Sequence, residues 1–108
     1  MISQETIDLL IKFRNDREWE QFHNSKDLAL ALSIEASELL ELFLWKSNED
    51  FNMEKLKEEL ADVMMFALLL AHKHKLDLDE IIRNKIELNN KKYPVEKAKG
   101  SATKYDQL

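Results

Sequence analysis

The sequence predicts an all-α protein, and its composition is the first reason. Its single glycine is Gly100 and its single proline is Pro94, so residues 1 to 93 contain neither of the strongest helix breakers. Apolar residues recur at helical spacing along four stretches. The 108 residues suit one domain with a modest core. We therefore expect a four-helix domain over residues 1 to 94 and an irregular tail, residues 95 to 108, that contributes to a site or an interface.

The first two helices are predicted from their apolar faces and caps. The first helix runs from about Ser3 to Arg17. Its inner side carries Ile7, Leu10, Ile11 and either Phe13 or Arg14. The stretch from Asn15 to Ser25 is polar and is predicted to be a loop. Asn24 or Ser25 can cap the second helix, which is predicted from Leu28 to about Trp45.

The last two helices have clear end signals. The third runs from about Met53 to Lys75, with acidic residues early and basic residues late, which complements the helix dipole. Asp77 and Glu80 form a cap for the fourth helix, predicted from Leu78 to about Lys92. Pro94 ends that helix because the residue before a proline avoids the α region.

The second helix is apolar on two opposite sides. Leu28 and Leu32 lie on one side. The opposite side carries Ala29, Ser33, Ser37, Leu40 and Leu44. A helix that is apolar on both sides must be covered on both sides, and one short domain offers limited cover. The pattern predicts an interface between subunits.

Four carboxylates occupy positions where a soluble helix normally places core residues. Glu35 and Glu38 lie on the second helix, and Glu59 and Asp62 on the third. The i, i+3 spacing puts both members of each pair on one face. Buried acids are costly unless they are paired or bind a metal, and four together would repel one another. Ligands that are all oxygen favour Mg²⁺ over zinc, so we predict a magnesium site, with Mn²⁺ as a substitute.

Other acidic and metal patterns are interpreted differently. Glu41, Glu54 and Glu58 fit ordinary solvated helix margins. The absence of cysteine excludes disulfides, thiol catalysis and zinc–cysteine sites. A di-iron bundle needs Glu-x-x-His motifs on two helices, but the one match, residues 20 to 23, lies in the predicted loop. His72 and His74 fall on different faces near a helix end and do not form a ligand pair.

Charge is unevenly distributed along the chain. Residues 1 to 82 have 18 acidic and 9 basic side chains, whereas residues 83 to 108 have 3 acidic and 7 basic ones. This asymmetry disfavours nucleic-acid binding, which depends on neutralising many phosphates. It suits a small phosphorylated ligand that arrives with a metal, although a basic tail that only aids solubility fits equally well. The N-terminus lacks a signal-peptide layout and no apolar run could cross a bilayer, so a soluble cytoplasmic protein is expected.

Several side chains could bind a nucleotide. The aromatic residues Trp19, Trp45, Phe66 and Tyr93 could each stack on a base, or simply pack in a core or interface. Lys85, Asn89 and Lys92 follow i, i+4, i+7 spacing and end beside Tyr93. This polar stripe could bind triphosphate oxygens, and an ordinary solvated face is the alternative.

Five segments together carry a resemblance to a known family. They are FRNDREWEQFH (13–23), ALSIEASELLELFLWK (31–46), EELADVMMF (58–66), NKIELNNKKYP (84–94) and SATKY (101–105). The combination resembles the MazG-like all-α nucleotide pyrophosphohydrolases, within them the dCTP pyrophosphatase branch. The resemblance implies hydrolysis of a nucleoside triphosphate between its α and β phosphates and a homotetramer that is a dimer of dimers, with sites built between subunits.

The resemblance also implies roles for individual residues. The family's metal-ligand positions fall on Glu35, Glu38, Glu59 and Asp62, and we expect Glu38 to orient the attacking water. Its base- and phosphate-contacting positions fall on Trp19, Trp45, Lys85, Asn89 and Tyr93. His23 belongs to the matching motif without an assigned role. Leu10, Phe66 and Asn90 depart from close relatives, which tend to have His, Tyr and a basic residue there, so the preferred base stays open.

Three functions follow as hypotheses. The first is a Mg²⁺-dependent pyrophosphohydrolase acting on dCTP or a modified pyrimidine deoxynucleotide. The second is a non-catalytic helical scaffold that senses nucleotides through its aromatic residues and makes no use of the acids. The third, phosphoribosyl-ATP pyrophosphohydrolase, shares the chemistry but does not match the W-E-Q-F-H and K-K-Y-P segments.

Overall fold

The computed structural model describes residues 2–108, which form helices, turns and loops and no β-strand. The α-helices are α1 (Gln4–Asp16), α2 (Ser25–Glu41), α3 (Met53–Lys73), α4 (Leu78–Lys92) and α5 (Val95–Ala98). Two 3₁₀ turns cover Glu20–Phe22 and Tyr105–Gln107. The all-α prediction is confirmed. The predicted count of four helices is wrong, because a four-residue helix follows Pro94.

Polar side chains define where the long helices begin. Ser3 Oγ accepts a hydrogen bond from the Thr6 amide at the start of α1, at 3.2 Å. Asn24, and not Ser25, caps α2 by accepting from the Asp27 amide at 2.9 Å. Asn52 and Asp77 cap α3 and α4 in the same way. Each cap satisfies an amide that the first helical turn leaves without a partner, so α1, α3 and α4 begin within one residue of their predicted positions.

The predicted bounds of α2 are wrong at both ends. The Asn24 cap starts the helix at Ser25, three residues before Leu28, and the helix ends at Glu41. Beyond Glu41 the amides bond to carbonyls three residues back instead of four, as in Leu44 to Glu41 at 3.2 Å. Trp45 then takes a left-handed backbone with φ 61°. The apolar pattern of the sequence continues past Glu41, but the side chains beyond it lie on tightened turns and not on the helix.

Two segments predicted to be irregular contain short helices. The predicted loop from Asn15 to Ser25 includes the 3₁₀ turn Glu20–Phe22. The predicted irregular tail contains α5 and the 3₁₀ turn Tyr105–Gln107. These elements have only three or four residues, too few for apolar periodicity to reveal them.

Residues up to Leu76 form one compact unit, in which α2 packs along α3 and α1 contacts α3. Its most buried side chain is Leu28, at 1% exposure. Four more apolar residues complete its buried core: Leu10, Leu68, Leu69 and Ala71. The sequence left open whether Phe13 or Arg14 lies on the inner side of α1; Arg14 is buried and Phe13 is exposed.

Arg14 organises the chain that leads from α1 to α2. Its guanidinium donates two hydrogen bonds to Asn15 Oδ1, at 2.9 and 3.0 Å, and lies 3.5 Å from Glu20 Oε2. Its carbonyl oxygen accepts from the amides of Arg17 and Trp19, both at 3.2 Å. One buried residue therefore holds both sides of the turn, and buried charge of this kind persists only when it is well bonded.

A second unit begins at Asp77 and contains α4, α5 and the C-terminal 3₁₀ turn. Gly100 provides a left-handed bend after α5, with φ 76°, a conformation that costs glycine little. The chain then returns so that Tyr105 packs on Tyr93, the residue that follows α4. Across residues 2–108, none of the helices combines the length and the apolar character needed to span a membrane.

Candidate metal centre and substrate residues

Three carboxylates of the first unit converge on one point. Glu35 and Glu38 project from α2 and Glu59 from α3, and one oxygen of each lies within 4.8 Å of the others. All three side chains are half-buried. The convergence follows from the i, i+3 spacing on α2 and from the packing of α2 along α3. Three of the four acids singled out in the sequence therefore lie together.

Asp62 lies beside this cluster but is not one of the three converging residues. It is half-buried on α3, three residues after Glu59. Its negative charge raises the pKa of both Glu35 and Glu59, so it acts at close range. The structure thus brings Glu35, Glu38 and Glu59 together, with Asp62 in a flanking position.

The cluster is under electrostatic strain. Burial is the largest cause that raises the pKa of Glu35 to about 7, followed by the hydrogen bond and the charge of Glu38 and then by the charges of Asp62 and Glu59. The pKa of Glu59 is also raised, first by burial and then by the charges of Glu38 and Asp62. Without a cation, the site therefore retains a proton near neutral pH.

The carboxylates also have unused bonding capacity. Glu35 Oε2 and Glu59 Oε2 are buried and have no hydrogen-bond partner in the described part of the chain. A buried acceptor without a partner is costly, and a cation among these oxygens would remove that cost. A set of ligands that is all carboxylate oxygen fits Mg²⁺ or Mn²⁺, which leave several coordination positions for water or phosphate.

His23 is a residue near α3 to which the sequence assigned no role. Its ring packs edge-on to Phe66, with 6.4 Å between ring centroids. Its Nδ1 is buried without a partner among residues 2–108, and burial, followed by the charge of Arg14, lowers its pKa. The residue that His23 contacts, Phe66, follows Asp62 by one helical turn on α3. The sequence signal was its place in the W-E-Q-F-H motif, but motif membership did not indicate its burial.

The predicted stacking residues of the first unit have different surroundings. Trp19 packs edge-on to Phe13 at 5.7 Å between centroids, and the Arg17 guanidinium lies 5.9 Å from the Trp19 ring. Trp19 is 43% exposed, so part of its ring is accessible. Trp45 is 99% exposed, so its ring is almost uncovered by residues 2–108. Phe66 is half-buried against His23 and so serves packing.

The remaining predicted substrate residues lie in the second unit. Lys85 is exposed on α4, whereas Asn89 is half-buried, and the Asn89 carbonyl accepts the Tyr93 amide at 2.8 Å. Tyr93 is half-buried and contacts Tyr105 edge-on, with 6.1 Å between centroids. The Lys92 ammonium lies 4.9 Å from the Tyr105 ring centroid. The C-terminal segment thus contacts the end of the predicted polar stripe.

The fold and the site define an all-helical protein in which three half-buried carboxylates from two helices form a candidate metal centre. Residues 30–108 match the model of the MazG-like family. The chain belongs to the MazG-like family. The predicted family resemblance is therefore confirmed.

Individual relatives agree with this assignment. The chain is 38% identical over 105 residues to dCTP pyrophosphatase 1 of Bos taurus and 36% identical to that of Homo sapiens, covering 90% of this chain in each case. It spans 62% of the length of these relatives. A crystal structure of a pyrophosphatase from Archaeoglobus fulgidus is similar, with a TM-score of 0.76 and 37% identity over 84% of this chain and 91% of that one.

Proposed function

We propose that the protein is a Mg²⁺-dependent nucleoside triphosphate pyrophosphohydrolase. The observation that carries the proposal is the convergence of Glu35, Glu38 and Glu59 within 4.8 Å, with two buried oxygens that lack partners. Such a cluster is unfavourable in isolation and becomes favourable when it binds a cation. The names of the relatives support a nucleotide substrate, and we propose dCTP or a modified pyrimidine deoxynucleotide.

Glu35, Glu38, Glu59 and Asp62 would hold the metal. A bound Mg²⁺ would neutralise phosphate charge and favour ionisation of a water molecule. Mn²⁺, which prefers the same oxygen ligands, would substitute for it. The raised pKa of Glu35 supports the assignment, because a divalent cation would replace the proton that this carboxyl otherwise retains.

The proposed reaction is the addition of water to the α phosphorus. Glu38 orients the water and accepts its proton as the new P–O bond forms. The bond between the α phosphorus and the bridging oxygen breaks, and pyrophosphate leaves with the bonding electron pair. The products are a nucleoside monophosphate and pyrophosphate. We propose that Lys85 and Asn89 bind phosphate oxygens, and that Tyr93 contacts substrate beside them.

Trp19 and Trp45 are proposed to contact the base. The support is their exposure, at 43% and 99%, because an exposed ring face is available for stacking. Trp45 has no packing role within its own chain, which makes it the stronger of the two. A ring that stacks contacts the face of a base and does not read its edge, so stacking alone sets no base preference.

The proposal is tested by incubating the purified protein with dCTP and Mg²⁺ and measuring both pyrophosphate and orthophosphate. We expect dCMP and pyrophosphate in equal amounts, and no reaction when EDTA is present. The Glu38→Gln variant should lose turnover and keep its fold, whereas Glu41→Gln, an exposed acid on the same helix, should remain active. Orthophosphate as the product, or no turnover with any of a panel of nucleotides, contradicts the proposal.

A second candidate is a non-catalytic scaffold that senses nucleotides. Trp45 favours it, because a ring that is 99% exposed can stack on a base without any help from the acids. The two candidates differ in what Glu38→Gln does. If the substitution raises stability and leaves Mg²⁺ affinity unchanged, the acids have no metal role and the scaffold is supported.

We also propose that the protein assembles into a homotetramer, a dimer of dimers. The support is the outer face of α2 and the turn after it, where Leu40 is 65% exposed and Leu44 is 51% exposed. Ala29, Ser33 and Ser37, on the same predicted face, are exposed as well. Sedimentation at several protein concentrations tests the assembly. A cytoplasmic location stays a prediction.

A further inference from the structure

The C-terminal segment makes two specific contacts with the end of α4. Tyr105 lies edge-on to Tyr93, with 6.1 Å between the ring centroids and 77° between the ring planes. The Lys92 ammonium lies 4.9 Å from the Tyr105 centroid. Both distances fall within the ranges in which aromatic pairs and cation–π pairs attract one another. One side chain therefore contacts two consecutive residues at the end of the polar stripe.

The route of the chain brings Tyr105 to this position. Tyr93 ends α4, and α5 and the left-handed Gly100 turn the chain back. Ser101 Oγ accepts from the Thr103 amide at 3.1 Å and fixes the next bend. Tyr105 is the first residue of the final 3₁₀ turn. In this turn the Gln107 amide donates to the Lys104 carbonyl at 2.9 Å. The segment therefore closes a loop whose two ends meet at Tyr93 and Tyr105.

The contact matters because of what it does to Lys92. A lysine side chain is long and mobile, and holding its ammonium in one place costs rotamer entropy. The face of the Tyr105 ring attracts that ammonium and keeps it on one side of α4 without forming an ion pair. Among the described residues, Lys92 has no carboxylate within ion-pair distance, so its charge stays available to an anion.

We propose that Tyr105 is a positioning residue that holds Lys92 and Tyr93 in place to bind the polyphosphate of the substrate. This inference rests on the proposed function and adds the C-terminal segment to it. Tyr105 acts through its ring, and its hydroxyl has no part in the two contacts. The ligand class is a polyphosphate anion for two reasons. Lys92, which Tyr105 orients, is a cation, and the chain from residue 83 onward has seven basic and three acidic side chains.

The test compares Tyr105→Ala with Tyr105→Phe and with Gln107→Ala, an exposed neighbour on the same turn. Binding of inorganic tripolyphosphate is measured by calorimetry, and dCTP kinetics by pyrophosphate release. We expect Tyr105→Ala to weaken tripolyphosphate binding and to raise KM for dCTP by about five- to tenfold, because the variant must order the Lys92 side chain on binding. Its kcat and Mg²⁺ affinity should change less than about twofold, and both control variants should match the wild type.

A double-substitution experiment tests whether Tyr105 acts through Lys92. Tyr105→Ala should weaken binding much less in a Lys92→Ala background than in the wild type, because the side chain that it orients is already gone. Unchanged tripolyphosphate affinity in Tyr105→Ala overturns the inference, and so does an equal loss in Tyr105→Phe, which would assign the effect to the hydroxyl. A protein that binds tripolyphosphate but does not cleave dCTP contradicts the proposed function alone. A wild type that cleaves dCTP but does not bind tripolyphosphate contradicts the inference alone.

Discussion

Glu35 and Glu38 lie one turn apart on α2, and the proximity of the second carboxylate helps to keep a proton on the first. Burial and the hydrogen bond with Glu38 raise the pKa of Glu35 to about 7. Glu35 therefore retains a proton in the absence of metal, and under the proposed function it would exchange that proton for a cation. Both Mg²⁺ affinity and the stability of the metal-free protein should therefore depend on pH.

Metal binding should release a proton at mildly acidic pH. A divalent cation competes with the proton on Glu35, so Mg²⁺ affinity should rise by about tenfold per pH unit below pH 7 and level off above it. Calorimetry in two buffers of different ionisation enthalpy counts the protons directly, and we expect close to one proton released per Mg²⁺ at pH 6. The Glu35→Gln variant should bind Mg²⁺ weakly and release fewer protons than the wild type. Wild-type binding without proton release at pH 6 would show that Glu35 is ionised before the metal arrives.

The metal-free protein should lose stability as pH rises. The pKa of Glu35 is about 7 in the folded chain against an ordinary value of 4.5, so the folded state binds the proton more tightly than the unfolded state. Its contribution is fully present below pH 4.5 and is lost as the pH rises to about 7. Denaturant unfolding with EDTA at pH 5 and pH 7.5 should show this loss in the wild type and a smaller one in Glu35→Gln. Glu41→Gln, which removes an exposed charge from the same helix, should keep the wild-type pH dependence.

Much of this architecture could be predicted because the signals are local. Apolar periodicity and charge located the starts of α1 and α3, the Asp77 cap located that of α4, and the i, i+3 spacing of the acids placed each pair on one face of its helix. The end of α2 could not be predicted in this way, because the switch to three-residue hydrogen bonds and the left-handed Trp45 are invisible in an apolar pattern that continues unbroken.

The site shows the same division between local and non-local information. Spacing identified four acids as equivalent, but only the packing of α2 along α3 determined that Asp62 flanks the three that converge. The burial of Arg14 over Phe13 was undecided because both positions lie near the inner side of α1, and the chain that follows α1 folds back on Arg14. His23 was missed because burial of one ring nitrogen depends on the fold around Phe66.

Trp45→Ala should separate substrate binding from stability. The ring is 99% exposed, so its removal should change the free energy of unfolding by less than about 0.5 kcal/mol in the isolated chain. If the ring stacks on the base, KM for dCTP should rise by about tenfold or more, since such stacking contributes ~1–3 kcal/mol. Trp45→Phe, which keeps a stacking face, should be less affected. Equal KM values for all three proteins would remove Trp45 from the substrate site.

Arg14→Ala should destabilise the protein and loosen the turn that carries Trp19. The side chain is 7% exposed, and its loss leaves Asn15 without two hydrogen bonds, so we expect a loss of about 2–3 kcal/mol in unfolding free energy. Little of it should come from Glu20, whose side chain is 71% exposed. Trp19 fluorescence in a Trp45→Phe background reports the turn, and Lys12→Ala, on an exposed face of α1, is the matched control. A stable Arg14→Ala variant with unchanged fluorescence would contradict this role.

Leu28→Ala and Leu40→Ala both shorten a leucine of α2, but the first should lower the stability of each chain and the second should weaken assembly. Leu28 is 1% exposed, so its truncation leaves a cavity and should cost about 2–5 kcal/mol at every protein concentration. Leu40 is 65% exposed in one chain, so its truncation should cost the isolated chain little. If Leu40 lies at a subunit interface, its variant should dissociate at higher protein concentration than the wild type, which sedimentation measures, and its unfolding midpoint should depend on concentration. A Leu40→Ala variant that assembles as the wild type does would place the proposed interface elsewhere.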